Sequence, residues 1–194
     1  MKERPILMTP ENAQKCFDGV KTQTRRIIKP QPSDRAILPR EWSDVMRLRK
    51  DKDIYGTDGL TLGNVPMADG SWGVVRCHFG TIGDRLYVKE GLEESPCGNR
   101  VQYRRDRAVI PGHSWHWERS TLSPMHMPKW AARLWLEIVE VRVERLKDIS
   151  ENDAKAEGVK TVREFAALWE SINGEVSWDE NPWVWVIAFR KVGS

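Results

Sequence analysis

The segment LWLEIVEVRVERL, residues 134–146, shows a regular alternation of side-chain types. Leu and Ile occupy the even-numbered positions from 134 to 138, and Val occupies the odd-numbered positions from 139 to 143. Because successive side chains of a strand point to opposite faces, this change of phase predicts one long strand with a β-bulge inside it. A bulge lets a sheet curl, so the segment predicts a strongly bent sheet or a small barrel.

Helix-capping signals mark three other segments. Residues 9–11, Thr-Pro-Glu, offer an N-cap, a first-turn proline and an acidic residue, and Gly19 marks the end of that predicted helix. A short helix is predicted over residues 150–158. A capping box, Thr161-x-x-Glu164, begins another that ends at Gly174. The apolar residues of this last helix recur at i, i+3, i+4 and i+7 between positions 165 and 172, which predicts packing of one face on the core.

Shorter apolar runs predict the remaining strands, at residues 6–8, 24–28, 72–77, 86–90 and 101–104. Residues 183–189 are apolar at both alternating positions, which predicts a central strand buried on two sides. Residues 31–70 and 106–125 are rich in turn-forming and polar residues, and we interpret both as long loop insertions. Strands outnumber helices without a βαβ repeat, so we expect an α+β class in a single domain covering residues 1–194.

The composition sets limits on function. Hydrophobic residues make up 40% and charged residues 30% of the 194 positions, which is a globular balance that excludes wholesale disorder. The net charge of +3 is too small to indicate nucleic-acid binding by itself. The chain has 10 Trp against 4 Phe and 3 Tyr. Each indole N–H needs a partner when buried, so this excess suggests pockets or base-stacking surfaces beside a Trp-rich core.

Cysteine usage and apolar runs bear on location. The 3 cysteines form no C-x-x-C pair, which favours a reducing compartment without disulfides. The first residues lack the apolar region of a signal peptide, and the run at 183–189 is too short to span a membrane. We therefore expect a cytoplasmic protein with no membrane association.

Residues 19–26, GVKTQTRR, combine a Gly, a Lys, two hydroxyls and two Arg at a predicted helix-to-strand junction. Backbone N–H groups, an ammonium and guanidinium groups together suit an anionic or carbonyl-bearing ligand. The alternative is that these basic residues only complement the dipole of the preceding helix.

Gly19-x-Lys21-x-x-Thr24-x-Arg26 resembles the signature stretch of the ASCH domain family, relatives of the PUA RNA-binding fold. Four later stretches resemble family motifs in the same order: 83–90 (G-D-x-L-x-V-x-E), 134–146 (L-x-I-x-x-V-x-x-x-x-L), 146–158 (L-x-x-I-S-x-x-D-A-x-x-E-G) and, at 165–189, the ending of phage-type members. Together they cover most of the chain outside 31–70 and 106–125.

The resemblance implies a PUA-like β-pseudobarrel with a cleft for RNA or a modified nucleoside. One bacterial branch, similar to this chain at the Lys and the Thr, hydrolyses N4-acetylcytidine to cytidine and acetate. That branch uses a Lys, a Thr three residues later and a downstream Glu. The resemblance places these roles on Lys21 and Thr24, with Glu90 as the expected carboxylate. Alternatives beside them are the Thr22 hydroxyl and the Glu93 and Glu94 carboxylates.

The implied chemistry is amide hydrolysis. A Thr hydroxyl is a weak nucleophile until a base takes its proton, and a Lys can be that base where burial disfavours its charged form. Glu90 would orient the ammonium or bind the cytosine. Backbone N–H groups, Arg25 or Arg26 would stabilise the oxyanion.

Three further candidates lie outside these motifs. Tyr103 and Arg104 are candidates for base stacking and phosphate contact, or else form an exposed basic hairpin. His126 either faces the cleft or caps a short helix near Trp130. The Cys and His residues lack the spacing of known zinc sites, so we predict no metal and no cofactor.

These residues are consistent with three functions. The first is an amidohydrolase acting on N4-acylated cytosine nucleosides. The second is a non-catalytic module that binds RNA or a modified base in the same cleft. The third is a ribonuclease in which Lys21, Arg26 and a carboxylate act on the phosphodiester.

Overall fold

The long alternating segment and its neighbours form an α+β protein whose core is mostly sheet, in a computed structural model that describes residues 1–33, 61–67 and 69–193. In chain order the described strands are β1 (Glu3–Leu7), β2 (Gln23–Ile27), β3 (Thr61–Pro66), β4 (Trp72–Arg76), β5 (Arg85–Lys89), β6 (Leu92–Glu94), β7 (Arg100–Tyr103), β8 (Val109–Ser114), β9 (Thr121–Leu122), β10 (Trp135–Arg145) and β11 (Trp183–Val192). The described α-helices are α1 (Pro10–Phe17), α2 (Glu151–Ala156) and α3 (Val162–Asn173). Short 3-10 helices cover Pro124–His126, Lys129–Ala131 and Leu146–Asp148.

The largest sheet has the order β1-β5-β10-β11-β2. Its β1–β5 pair is parallel and the other pairs are antiparallel. Two smaller sheets have the orders β3-β4 and β8-β7-β6-β9. No sheet closes on itself within the described residues.

The predicted bulge is confirmed in β10. The register of β10 against β11 shifts between Ile138 and Glu140, so Val139 is the extra residue and lies 43% exposed. Residues before and after the bulge therefore bury opposite parities of side chain, as the change of phase predicted. Ile138 and Val141 both lie buried in the same core cluster.

The predicted central strand is also confirmed, since β11 lies between β10 and β2. Its alternate side chains enter two different cores. Trp185, Ile187 and Phe189 pack with the core that contains α1, whereas Val184 and Val186 pack with α2 and α3. Because β2 pairs with this strand, β2 lies between the layer that contains α1 and the layer that contains α2 and α3.

Helix ends follow the predicted caps. Thr9 Oγ1 accepts the Asn12 N–H at 3.3 Å, and Ser150 and Asp153 form a reciprocal capping box. The box at Ser150 was not predicted, whereas the predicted box at Thr161 is only half formed. Thr161 Oγ1 accepts the Glu164 N–H, but the Glu164 carboxylate accepts the N–H of Lys160.

The two expected loop insertions were wrong in part. Residues 61–66 form β3, which pairs with β4, while residues 34–60 and 68 lie outside the described part of the chain. Residues 106–125 contain β8 and β9, which complete the four-stranded sheet. Because β8 is largely exposed on both faces, its sequence lacks the apolar alternation by which strands are predicted.

Candidate functional site

A cavity of about 470 Å³ lies along β2, which is an edge strand of the largest sheet. Its walls come from β2, the start of α1, one face of α3 and Glu157, which directly follows α2. This volume is within the range of sites that hold small ligands. Because β2 has a sheet partner on one side only among the described strands, side chains from both of its faces reach the cavity.

The turn after α1 delivers Lys21 into the interior. Gly19 adopts a positive φ of 75°, and the N–H groups of Val20 and Lys21 both donate to Lys15 O, at 2.9 and 3.0 Å. This closes the helix in a left-handed turn of the kind that Gly favours. The chain then enters β2 with the Lys21 side chain only 3% exposed.

The partner of Lys21 is Glu157. Lys21 Nζ lies 2.6 Å from Glu157 Oε2 and 2.9 Å from the backbone oxygen of the same residue. Both side chains are 3% exposed. Each of these charges lost its hydration when the chain folded. A buried ion pair is therefore tolerated only when close contact and further hydrogen bonds offset that loss.

Arg25 binds the second oxygen of this carboxylate. Its guanidinium lies 3.2 Å from Glu157 Oε1, 3.0 Å from Glu144 Oε2 and 3.6 Å from Asp153 Oδ2. It also lies over the Phe165 ring, with 5.7 Å to the centroid. With three carboxylates around it, Arg25 holds Glu157 in place beside Lys21.

Arg142 completes the network at its outer side. It hydrogen-bonds both Glu144 and Asp153, and Gln23 bonds Asp153 as well. Burial tends to raise the pKa of the Asp153 carboxyl, but hydrogen bonds from Ser150 and Gln23 and the charge of Arg25 lower it well below its usual range. The network therefore holds Asp153 as an anion.

Thr24 and Arg26 also line the cavity. Thr24 is buried, whereas Thr22 is exposed and does not line it, so Thr24 is the hydroxyl that shares the cavity with Lys21. Arg26 donates to Leu7 O at 2.6 Å, while its Nε has no partner among the described residues. Burial lowers the pKa of the Arg26 guanidinium, although the charge of Glu157 opposes this.

Cys16 lies beneath the same charged groups. Burial raises the pKa of its thiol to about 12, with Lys21 acting against that shift. Its Sγ contacts Met8 Sδ at 3.5 Å. The thiol is therefore held protonated as part of the hydrophobic core.

Glu90 does not occupy the expected place beside Lys21. It accepts two hydrogen bonds from Arg133, at 2.8 and 2.9 Å, and lies 3.5 Å from Arg105. It follows β5, on the side of the largest sheet away from β2, and does not line the cavity. The expectation that Glu90 partners Lys21 is corrected to Glu157. The alternatives Glu93 and Glu94 belong to β6, in the four-stranded sheet.

Tyr103, Arg104 and His126 are not brought to the cavity. Tyr103 is buried, its hydroxyl donates to Ala131 O at 2.6 Å, and burial raises its pKa to about 12. Arg133 covers the Tyr103 ring at 3.7 Å, so the ring has no face for a base. Arg104 is exposed in the turn after β7, 3.9 Å from Glu93, and His126 is exposed in a 3-10 helix.

Stacked aromatic rings, three exposed and one half-buried, lie elsewhere on the four-stranded sheet and its flanks. His113 stacks on Trp130 at 3.8 Å with an interplanar angle of 9°, and His116 stacks on Trp117 at 3.9 Å. Trp117 and Trp130 lie 6.4 Å apart. These four rings are the ring surface, and residues 106–125, expected as a loop, contribute three of them.

Asn12, Glu157 and Trp169 are among the residues of the cavity wall that were not predicted as functional. The one sequence signal for a functional role of Glu157 was its position within the 146–158 motif. Trp169 belongs to the expected apolar face of α3, but this face is only partly core. Phe165 and Trp169 are buried in it, whereas Ile172 is 47% exposed and lines the cavity.

Over the described residues, no group of three or more His, Cys, Asp or Glu side chains is arranged to hold a metal ion. None of the helices in that part of the chain has the length and apolar composition needed to cross a bilayer. Comparisons with protein family models, with curated proteins and with solved structures each gave no match to this chain.

Proposed function

We propose that this chain is a PUA-like ASCH protein that removes the acyl group from N4-acetylcytidine or a related nucleoside. The observation that carries this proposal is the buried Lys21–Glu157 pair beside Thr24 in one cavity. The Lys, the Thr three residues later and a downstream Glu are the set that the motif resemblance implies. The bulge that bends β10 supports the PUA-like part of the proposal.

Lys21 must lose a proton before it can act as a base. The Glu157 carboxylate, 2.6 Å away, is the acceptor in contact with it. The neutral amine then takes the Thr24 hydroxyl proton as Thr24 Oγ1 attacks the acyl carbon. When the C–N bond breaks, the Lys21 ammonium returns that proton to the leaving N4 nitrogen. Water, deprotonated by the same amine, attacks the acyl-Thr24 ester; as the C–O bond to Thr24 breaks and acetate leaves, the Lys21 ammonium returns the proton to Thr24 Oγ1.

Two groups can stabilise the tetrahedral oxyanion. The unpartnered Arg26 Nε–H is one, since Arg26 lines the cavity. The other comes from the β2 backbone. Phe189 N–H donates to Thr22 O and Ile28 N–H donates to Trp183 O, so the even-numbered residues bond to β11. By the antiparallel alternation, the N–H of Arg25 points to the other edge, next to Thr24. A donor fixed there acts on the developing charge without reorganisation.

The test follows cytidine release from N4-acetylcytidine by chromatography. Lys21→Met, Thr24→Val and Glu157→Gln should each lower kcat by about 100-fold or more, since each removes the nucleophile or a proton-transfer group. The matched controls are Thr22→Val, which removes the neighbouring exposed hydroxyl, and Glu90→Gln, which alters the other ion cluster. Wild-type protein without turnover, or a Glu90→Gln loss as large as that of Glu157→Gln, would contradict the proposal.

A second candidate function is binding of single-stranded RNA, and the ring surface favours it. Trp130 is 41% exposed and carries the stacked His113 ring. Exposed aromatic rings stack on bases of any sequence. Fluorescence anisotropy with labelled oligouridine should show binding that weakens with salt and with Trp130→Ala. Cleavage of the oligonucleotide in the same samples would instead support a ribonuclease.

A further inference from the structure

The cavity wall formed by α3 contains a buried donor without a partner. Trp169 is 5% exposed, and its Nε1–H has no hydrogen-bond partner within the described residues. Buried polar groups in proteins are nearly always paired, and leaving one unpaired costs about 1–3 kcal/mol. Trp169 lines the cavity, and a bound molecule that carries an acceptor would satisfy this N–H.

The part of the wall formed by α1 contains a second polar group. Asn12, in the first turn of α1, is 8% exposed and lines the cavity. The backbone N–H of Asn12 donates to Thr9 Oγ1. The side-chain amide of Asn12 makes no hydrogen bond among the described residues. That amide offers one acceptor and two donors, so it can bond a ring nitrogen whether or not that nitrogen carries a proton.

Apolar side chains fill the space around these groups. Phe165, Leu168 and Ile172 of α3 line the cavity on the side of Trp169, and Leu7 and Met8 line it on the side of Asn12. An apolar slot with a few placed polar groups is the usual arrangement for a flat organic ligand. The charged groups are gathered at the other wall, along β2 and Glu157.

We infer that Trp169 and Asn12 are specificity-determining residues that recognise a heteroaromatic ring bearing a carbonyl group. Trp169 Nε1–H donates to the ring carbonyl oxygen, and the Asn12 amide bonds a ring nitrogen. This inference rests on the proposed function, because an acyl carbon in contact with Thr24 leaves the ring between α1 and α3. The substrate class is then an acylated amino-pyrimidinone.

The experiment compares N4-acetylcytosine with 4-acetamidopyrimidine, which lacks the ring carbonyl. Binding is measured by calorimetry in a Thr24→Val background, which keeps the ligands intact. Trp169→Phe should weaken binding of N4-acetylcytosine about tenfold, the effect of one neutral hydrogen bond, and leave 4-acetamidopyrimidine unchanged. Asn12→Leu should weaken both compounds, since both retain ring nitrogens.

Trp178→Phe is the matched control. Trp178 packs against Phe165 with 6.3 Å between ring centroids but does not line the cavity, so its substitution should affect neither compound. Equal loss of both compounds in Trp169→Phe, or no loss of either, would overturn the inference. Failure of the Thr24→Val parent to bind N4-acetylcytosine would overturn it as well.

The proposed function is judged separately by turnover of the wild-type protein. Discrimination by Trp169 without any cytidine release would support the recognition site and reject the amidohydrolase. Turnover that is indifferent to Trp169→Phe would support the amidohydrolase and reject the recognition site.

Discussion

Replacing Glu157 by Gln tests how far the fold depends on the buried ion pair. The variant keeps the shape of the side chain but leaves the Lys21 ammonium, 3% exposed, without an opposite charge in contact. Arg25 keeps Glu144 and Asp153, so the unmatched charge is mainly that of Lys21. Removing one partner of a buried pair costs about 3–5 kcal/mol. For a chain of this size that corresponds to a Tm lower by about 6–20 °C.

The assay is thermal and urea unfolding at pH 7, with the exposed pair Lys147–Asp179 as reference. Its nitrogen and oxygen are 2.8 Å apart, but the Asp179 side chain is 75% exposed. Asp179→Asn should therefore cost less than about 1 kcal/mol, although the contact is nearly as short as that between Lys21 and Glu157. The double variant Lys21→Met/Glu157→Gln should be more stable than Glu157→Gln alone, because it removes the buried and unpaired ammonium of Lys21.

A loss in Glu157→Gln no larger than that in Asp179→Asn would refute the reasoning. A double variant less stable than Glu157→Gln would refute it too, since Lys21 would then stabilise the fold by something other than its charge pair.

Three other perturbations follow from the same geometry. Gly158→Ala should lower the stability of the fold by about 1–2 kcal/mol, because φ is 85° at this position. It should also lower turnover, because the new Cβ would lie 3.0 Å from Lys15 Cδ and 3.3 Å from Lys21 Cβ. Unfolding assays check the first effect and kinetic assays the second. Asp153→Asn should destabilise the protein at pH 7. A carboxyl whose pKa is lowered by folding contributes stability above its unfolded pKa, and this contribution is lost as the pH falls. Unfolding curves across pH should therefore show the stability difference from wild type shrinking below about pH 4. Thiol titration at pH 8 should modify the exposed Cys97 alone in the native protein and all 3 cysteines after unfolding, because burial raises the pKa of Cys16 to about 12 and of Cys77 to about 11.

The elements that the sequence predicted well depend on local signals. The bulge at Val139, the cap at Thr9 and the helix that begins after Ser150 each depend on residues a few positions apart, so their patterns are visible without the tertiary structure. The central position of residues 183–189 followed from burial on both faces, which is a property of composition. The α+β class follows from these elements together.

The parts that were missed depend on distant contacts. Lys21 and Glu157 are 136 positions apart, and nothing near Glu90 in the sequence shows that Arg133 neutralises it instead. Tyr103 beside Arg104 has the composition of a base-stacking hairpin, yet its ring is covered because Arg133 comes from another part of the chain. The motif resemblance was enough to predict Lys21 and Thr24 as site residues. The carboxylate that partners Lys21 could be identified only from the packing of α2 on β2.

The position of β2 has a consequence for synthesis. Among the described strands its only partner is β11, and Ile27 pairs with Val184, more than 150 residues later. At about 5–20 residues per second, roughly 10–30 seconds separate the emergence of the two strands from the ribosome. During that interval the nascent QTRRI segment has its hydrogen-bonding edge exposed to other chains. A stop codon before position 183 would leave Lys21 and Thr24 translated but without the strand that holds them in place.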